Sequence, residues 1–252
     1  MTMKLICLTG LLFLTLCSQA ESQDVTDLPS NRFADAASLR EQGFSPLFTG
    51  TDLASWNLQP GHQGHWTVKE GVIHYDGGAT QKKSFDKSLW TNDDYGELEF
   101  YCEWRLASKP KLKEHPIVLW NGDFLMDHNG KRITRPHLDA GDSGIYFRGH
   151  FHCQANIWSQ ELGSGEINGY RTNKRLPIKL RQSCLPFKVA DRPLGEWNTF
   201  RITLQDNRLS VQLNGQHVVH SDPLPDLPPR GPIGLQHHGD PIEFRNIWIR
   251  EL

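Results

Sequence analysis

The chain has 252 residues, 37% of them hydrophobic and 22% charged, with a mean hydropathy of −0.53. That composition excludes a disordered or polytopic chain. A formal charge of −2 with no long basic run excludes the basic stripe that nucleic-acid binding needs.

Lys4 and the apolar run from Leu5 to Leu16 precede Ser18-Gln19-Ala20, which has small residues at the −3 and −1 positions. Residues 1–20 therefore read as a secretory signal peptide, too short to span a bilayer as a helix. A lipid-modified Cys17 is the alternative, and the bulky Leu16 before it argues against that. The expectation is an exported protein, periplasmic or extracellular, with no membrane span. Cys102, Cys153 and Cys184 would remain after cleavage, enough for one disulfide and one thiol. No Cys-x-x-Cys spacing exists, and Cys102 reads as a small buried hydrophobe in a strand.

Residues 21–44 read as a linker or short helix, with Ala34 to Gln42 as the helical part. Short strand-like runs follow. Trp66–Val68 and Val72–Tyr75 flank Glu70-Gly71 as a hairpin. Leu98 to Leu106 alternates, with Phe100, Cys102 and Trp104 on one face and Tyr101, Glu103 and Arg105 on the other. The segment from Ala107 to Gly141 reads as an excursion of one or two hairpins, a usual origin of site walls. Ser143 to Arg148 and Cys153 to Trp158 are further strands. Phe200–Leu204 and Leu209–Leu213 flank Asp206-Asn207, and Asn214-Gly215 turns into His217–His220. Ile233–Gln236 and Glu243–Ile249 close the domain, which spans residues 45–252. Many short strands with regular turns predict an all-β, jelly-roll β-sandwich.

Each strand of a sandwich turns one face away from the core. Alternation places Glu103 and Arg105, then Gly144, Tyr146 and Arg148, then Gln154, Asn156 and Trp158 on such faces. Aromatic and fixed polar groups arranged this way suit a sugar. The run from Gly231 to Ile247 adds His237, His238 and Asp240 beside Gly239, where a general base or metal ligand could sit. Trp104, Trp197 and Trp248 read as core residues, and Arg245 as the partner of a carboxylate.

The run from Gly231, with Asp142-Ser-Gly-Ile-Tyr-Phe-Arg148, Gly195-Glu-Trp-Asn-Thr199 and Leu213-Asn-Gly215, resembles the 3-keto-disaccharide hydrolase family, abundant among exported bacterial proteins. Leu89-Trp90-Thr91 and Tyr95-Gly96-Glu97-Leu98 fit the same pattern, and the likeness covers roughly Ser45 to Leu252. It implies a concanavalin/laminin-G-like jelly roll and a small-molecule or oligosaccharide substrate. It also implies cleavage of 3-keto-glycosides by proton abstraction beside the ketone, elimination and hydration. Two departures stand out: about 35 residues inserted after Arg105, and Cys153-Gln154-Ala155 where many members carry a Glu shortly before the Gln. The carboxylate function then falls to Glu103 or Glu166. The expected catalytic residues are His238, Glu103 and Glu166; Arg148, Gln154, Trp158, Asp142 and Asp240 are expected to bind substrate. A divalent metal is possible as electrophile but has no compact ligand motif here. A non-catalytic carbohydrate-binding module on the same fold is the rival reading. The single-strand Glu-x-Asp-x-x-Glu pattern of a jelly-roll glycosidase is absent.

Overall fold

A computed structural model describes residues 33–80 and 87–252. The signal-peptide reading of residues 1–20, and the part of the linker before residue 33, lie outside the described residues. Residues 33–252 form one compact unit. The strands, in chain order, are β1 Ser45–Pro46, β2 Trp66–Lys69, β3 Val72–Tyr75, β4 Leu89–Trp90, β5 Leu98–Leu106, β6 Lys111–Pro116, β7 Thr134–Asp139, β8 Asp142–Phe147, β9 His150–Trp158, β10 Asn198–Gln205, β11 Arg208–Leu213, β12 Gln216–His220, β13 Gly234–Leu235 and β14 Ile242–Glu251. They build an antiparallel sheet ordered β12-β11-β10-β5-β14-β3-β2, with β1 joined to β14, and a second sheet ordered β4-β13-β8-β9. A separate β6-β7 ribbon carries the excursion. This is the predicted all-β sandwich.

Local chemistry explains the hairpins. Two-residue turns with both central residues at positive φ match the twist of paired strands. Glu70-Gly71, Asp206-Asn207 and Asn214-Gly215 all adopt that conformation. The Asn214 side chain also ties neighbouring segments together. Its Oδ1 accepts from Thr199 N–H at 2.9 Å, and its Nδ2 donates to Asn198 Oδ1 at 2.8 Å. The Asn-Thr and Asn-Gly motifs thus bind each other and hold the β10–β11 hairpin rather than forming a site.

The core lies between the sheets. Phe100, Cys102 and Trp104 of β5 meet Ile145 and Phe147 of β8 and Ala155 and Ile157 of β9. Among the described residues, Cys102, Cys153 and Cys184 are buried and unbridged. The outer face of the larger sheet is also covered. Helix α1, Ala36–Glu41, capped by Asp35, brings Leu39 onto Phe44, Tyr101 and Trp248 in a second apolar cluster. Trp104 and Trp248 are buried as expected. Trp197 instead sits half-buried against the guanidinium groups of Arg105 and Arg245, 4.8 and 4.0 Å from its ring.

Two short helices, α2 Asn168–Arg171 and α3 Ile178–Ser183, have no counterpart in the strand pattern read from sequence. The first packs beside β9, the second packs on the first, and together they receive the tip of the β6-β7 arm. Arg171 donates to Gly122 O at 3.2 Å and lies 4.8 Å from the Phe124 ring, while Arg181 pairs with Asp123 at 2.6 Å. No helix among the described residues is long and apolar enough to cross a membrane.

Candidate active site

The outer face of the four-stranded sheet gathers most of the expected residues. Register places Asp142 opposite Trp158, Gly144 opposite Asn156 and Tyr146 opposite Gln154, so all six share one face. Gln236 continues β13 beside them, its N–H bonded to Gly144 O at 2.9 Å. Gln154 Nε2 donates to Gln236 Oε1 at 2.5 Å and to Asn156 Oδ1 at 3.1 Å. Trp90 stacks on Tyr146 at 5.4 Å and 12°. Two glycines make this layering possible. A side chain at Gly144 would strike Gln154, and one at Gly234 would meet the Trp90 ring at 2.6 Å. The result is an ordered polar and aromatic floor.

Ionisable groups stand at one end of that floor. His238 Nδ1 lies 4.0 Å from Asp142 Oδ2, with 51% of the His238 side chain and 27% of the Asp142 side chain exposed. Asp240 Oδ2 accepts from Asp142 N–H at 3.1 Å. Gly141, at φ 117, allows this approach, since a Cβ there would meet Asp240 Cβ at 2.6 Å. Burial pushes the Asp142 carboxyl well above the ordinary carboxylate range, and the charges of Asp240, Glu166 and Asp139 push it further. Glu166 is wholly buried and ion-paired with Arg171, yet burial still lifts it to about 7. Asp139 takes the opposite course. Burial would raise it, but the Gly141 N–H at 2.6 Å and Lys113 at 3.3 Å hold it below its usual value.

A carboxyl raised in the folded state binds more protons folded than unfolded, so its burden on stability grows as pH rises above the unfolded value near 4. Asp142→Asn is therefore expected to raise stability by roughly 0.5–2 kcal/mol at pH 8, with the gain shrinking toward pH 4. Thermal melts at the two pH values check this; an equal shift at both would contradict it.

The structure brings His238, Asp142 and Asp240 together, with Glu166 behind them and Gln154 on the adjoining floor. Trp158 shares the face, but its indole N–H is committed to Gly163 O at 2.7 Å. Two expected residues lie elsewhere. Glu103 belongs to β5 in the other sheet, so its outward face is the opposite outside of the sandwich. There it is buried and accepts from Arg245 Nε at 2.7 Å and Asn246 Nδ2 at 2.8 Å, which confirms the expected carboxylate partner of Arg245. Arg148 leaves the floor because β8 bulges after Tyr146 and Arg148 turns at φ 52. Its guanidinium ties Gly96 O, Asn207 Oδ1 and Pro228 O together at 3.1, 2.8 and 3.1 Å. His237 points away from His238: its Nδ1 meets Tyr75 OH, and burial, with Lys87, His238 and His62 adding to it, lowers its pKa to about 4. Trp90, Gln236, Asp139 and Arg171 were not singled out from sequence. Only the strand alternation after Gly234 could have pointed to Gln236.

Comparison with known proteins identifies the family of the chain. Residues 43–250 match the 3-keto-disaccharide hydrolase family, described as the 3-keto-alpha-glucoside-1,2-lyase-like domain. The chain belongs to that family. The family is carbohydrate-active, as the sequence likeness implied. Three crystal structures of proposed glycosyl hydrolases from Parabacteroides distasonis ATCC 8503 share the fold. One aligns with a TM-score of 0.55 at 16% identity, over 88% of this chain and 99% of that one. A second gives 0.52 at 21% identity, over 83% and 99%. The third gives 0.51 at 22% identity, over 83% and 84%. No curated protein matches the chain.

Could the family member hold a metal here? Among the described residues, no group of three or more His, Cys, Asp or Glu side chains is arranged to bind one. Asp142 and Asp240 approach each other, but Asp240 Oδ2 is already bonded to a backbone N–H.

Proposed function

We propose that this family member cleaves 3-keto-glycosides by elimination followed by hydration, with His238 and Asp142 as the proton-transfer groups. The observation that supports the reading is their pairing at 4.0 Å, open to solvent, beside a floor of amides and aromatics. A ketone at C3 acidifies the C2 proton. A base removes that proton, the electron pair forms the enolate, and the C1–O bond breaks as the double bond forms between C1 and C2. A proton donor caps the departing oxygen, and water then adds at C1. The chemistry needs one group that takes a proton and one that gives it. An imidazole can do the first near neutral pH. A carboxyl whose protonated form is favoured by burial and neighbouring charges, as that of Asp142 is, can do the second. Asp240 orients the Asp142 backbone, Glu166 adds to the field that raises the Asp142 carboxyl, and Gln154 lies where sugar hydroxyls could bond.

The test is a 3-keto-glucoside incubated with the protein in deuterated water. Deuterium entering at C2 together with leaving-group release supports the mechanism. Release without C2 exchange in recovered or product sugar would replace it with direct hydrolysis. Saturable binding with neither event would make the domain a carbohydrate-binding module.

Export belongs to the same proposal, because residues 1–20 have the signal-peptide pattern. Intact mass of the protein from its native host is expected to show Glu21 as the first residue. A lipid-bearing Cys17 would overturn that.

A further inference from the structure

The loop that carries His238 leaves β13 with its backbone anchored as far as His237, whose N–H donates to Ser88 Oγ at 3.0 Å. Asp240 resumes the anchorage by accepting from Asp142 N–H. Between those points, among the described residues, no hydrogen bond holds the backbone of His238 or Gly239. Both residues are exposed, so burial of the side chain does not fix the imidazole either.

The contact that can fix it comes from the other sheet. β3 ends at Tyr75, and the turn Asp76-Gly77-Gly78 runs against the His238 loop. A Cβ on Gly77 would stand 2.5 Å from Gly239 O and 2.8 Å from Gly239 C. Those are collisions with backbone, which no side-chain rotation relieves. Gly77 also sits at φ 85, in the left-handed region that favours glycine. The turn is the firmer of the two partners. Asp76 Oδ1 accepts from Gly78 N–H at 2.7 Å, the Asp76 carboxylate pairs with His65 at 3.0 Å, and Asp76 N–H donates to His65 O at 3.3 Å. Thr80 N–H donates to Gly61 O at 3.2 Å. A side chain at position 77 would therefore displace the unbonded His238–Gly239 segment rather than the turn.

We propose that Gly77 is a positioning residue for His238, its bare backbone setting where the His238–Gly239 segment, and with it the imidazole, stands beside Asp142. This rests on the proton-transfer role proposed for His238. A shift of about 1 Å in a reacting group can cost on the order of 100-fold in rate.

Gly71 supplies the control. It turns β2 into β3 at φ 77, and a Cβ there meets nothing within 4 Å. Gly71→Ala thus carries the same kind of backbone strain without the collision. Two quantities are read: the His238 ring signals in long-range proton–nitrogen correlation spectra, identified by their loss in His238→Ala, and kcat and KM on a 3-keto-glucoside. Gly77→Ala is expected to move the ring signals and to lower kcat roughly 10–100-fold, with KM within about threefold of wild type. Gly71→Ala is expected to leave all three in place. In the His238→Ala background, Gly77→Ala is expected to lower kcat by no more than about twofold, because the group it positions is gone. If Gly77→Ala fails to fold, Ser88→Ala, which removes the acceptor of His237 N–H, takes its place. It is expected to move the same ring signals and to lower kcat about fivefold, the worth of one neutral hydrogen bond. Three outcomes would overturn the proposal: unmoved His238 ring signals in the folded variant, an equal loss of kcat in Gly71→Ala, or a loss carried undiminished into the His238→Ala background. A wild-type protein that releases no leaving group would refute the lyase reading, and the ring signals alone would then decide the positioning.

Discussion

His238→Ala is expected to lower turnover of a 3-keto-glycoside by roughly 100-fold or more, the usual worth of a positioned acid–base group, and to leave the melting temperature unchanged. The stability half follows from exposure. Half the side chain is in solvent, and the Asp142 carboxyl lies 4.0 Å away, outside hydrogen-bond range. Substitutions at such places usually move stability by no more than about 0.5 kcal/mol. His237→Ala supplies the contrast. That imidazole, lowered to about 4 and engaged by Tyr75, is neutral at pH 7 and packs rather than exchanges protons. Its loss is expected to cost stability and to reduce turnover far less. The measurement is kcat and KM beside a melting curve for each variant. A stable His238→Ala protein with full activity would remove His238 from the mechanism, and a parallel loss of both quantities would make it structural.

Arg171→Ala is expected to destabilise the protein by about 3–5 kcal/mol, the usual result of removing one partner of a buried ion pair. For a chain of this length that lowers the melting temperature by roughly 6–20 °C. Arg171 and Glu166 are both essentially fully buried. Without the guanidinium, Glu166 keeps its desolvation and loses the charge that opposed it. Its carboxyl then rises above about 7, and the folded state binds its proton more tightly still. Stability therefore falls as pH rises, so the deficit is expected to be largest at alkaline pH and smallest in acid. The Gly122 and Phe124 contacts go at the same time, which should expose the 107–141 arm to proteolysis. A double variant, Glu166→Leu with Arg171→Met, is expected to recover most of the loss, since well-packed apolar pairs often match a buried ion pair. A single variant melting within a degree of wild type would show that the pair carries no such weight.

Hairpins and buried faces were determined by the sequence alone, because their causes are local. Glu70-Gly71, Asp206-Asn207 and Asn214-Gly215 fold their turns from nearest-neighbour backbone preferences. Alternation from Leu98 to Leu106 put Phe100, Cys102 and Trp104 inward, as the core shows. The run around His238 and the Asp142 motif likewise pointed to groups that meet. Only the tertiary structure decided which outward faces coincide. Alternation says that a residue leaves the core, but not on which side, and β5 entered one sheet while β8 and β9 entered the other. Glu103 and Gln154 therefore look out from opposite sides of the sandwich. The bulge that turns Arg148 away, and the distant Gly96 and Pro228 carbonyls that capture it, depend on chain segments brought together by folding. Arg171 shows the same limit most plainly. A charged residue in a four-residue helix reads as surface, and only the meeting of Glu166, Gly122 and Phe124 around it makes its burial favourable.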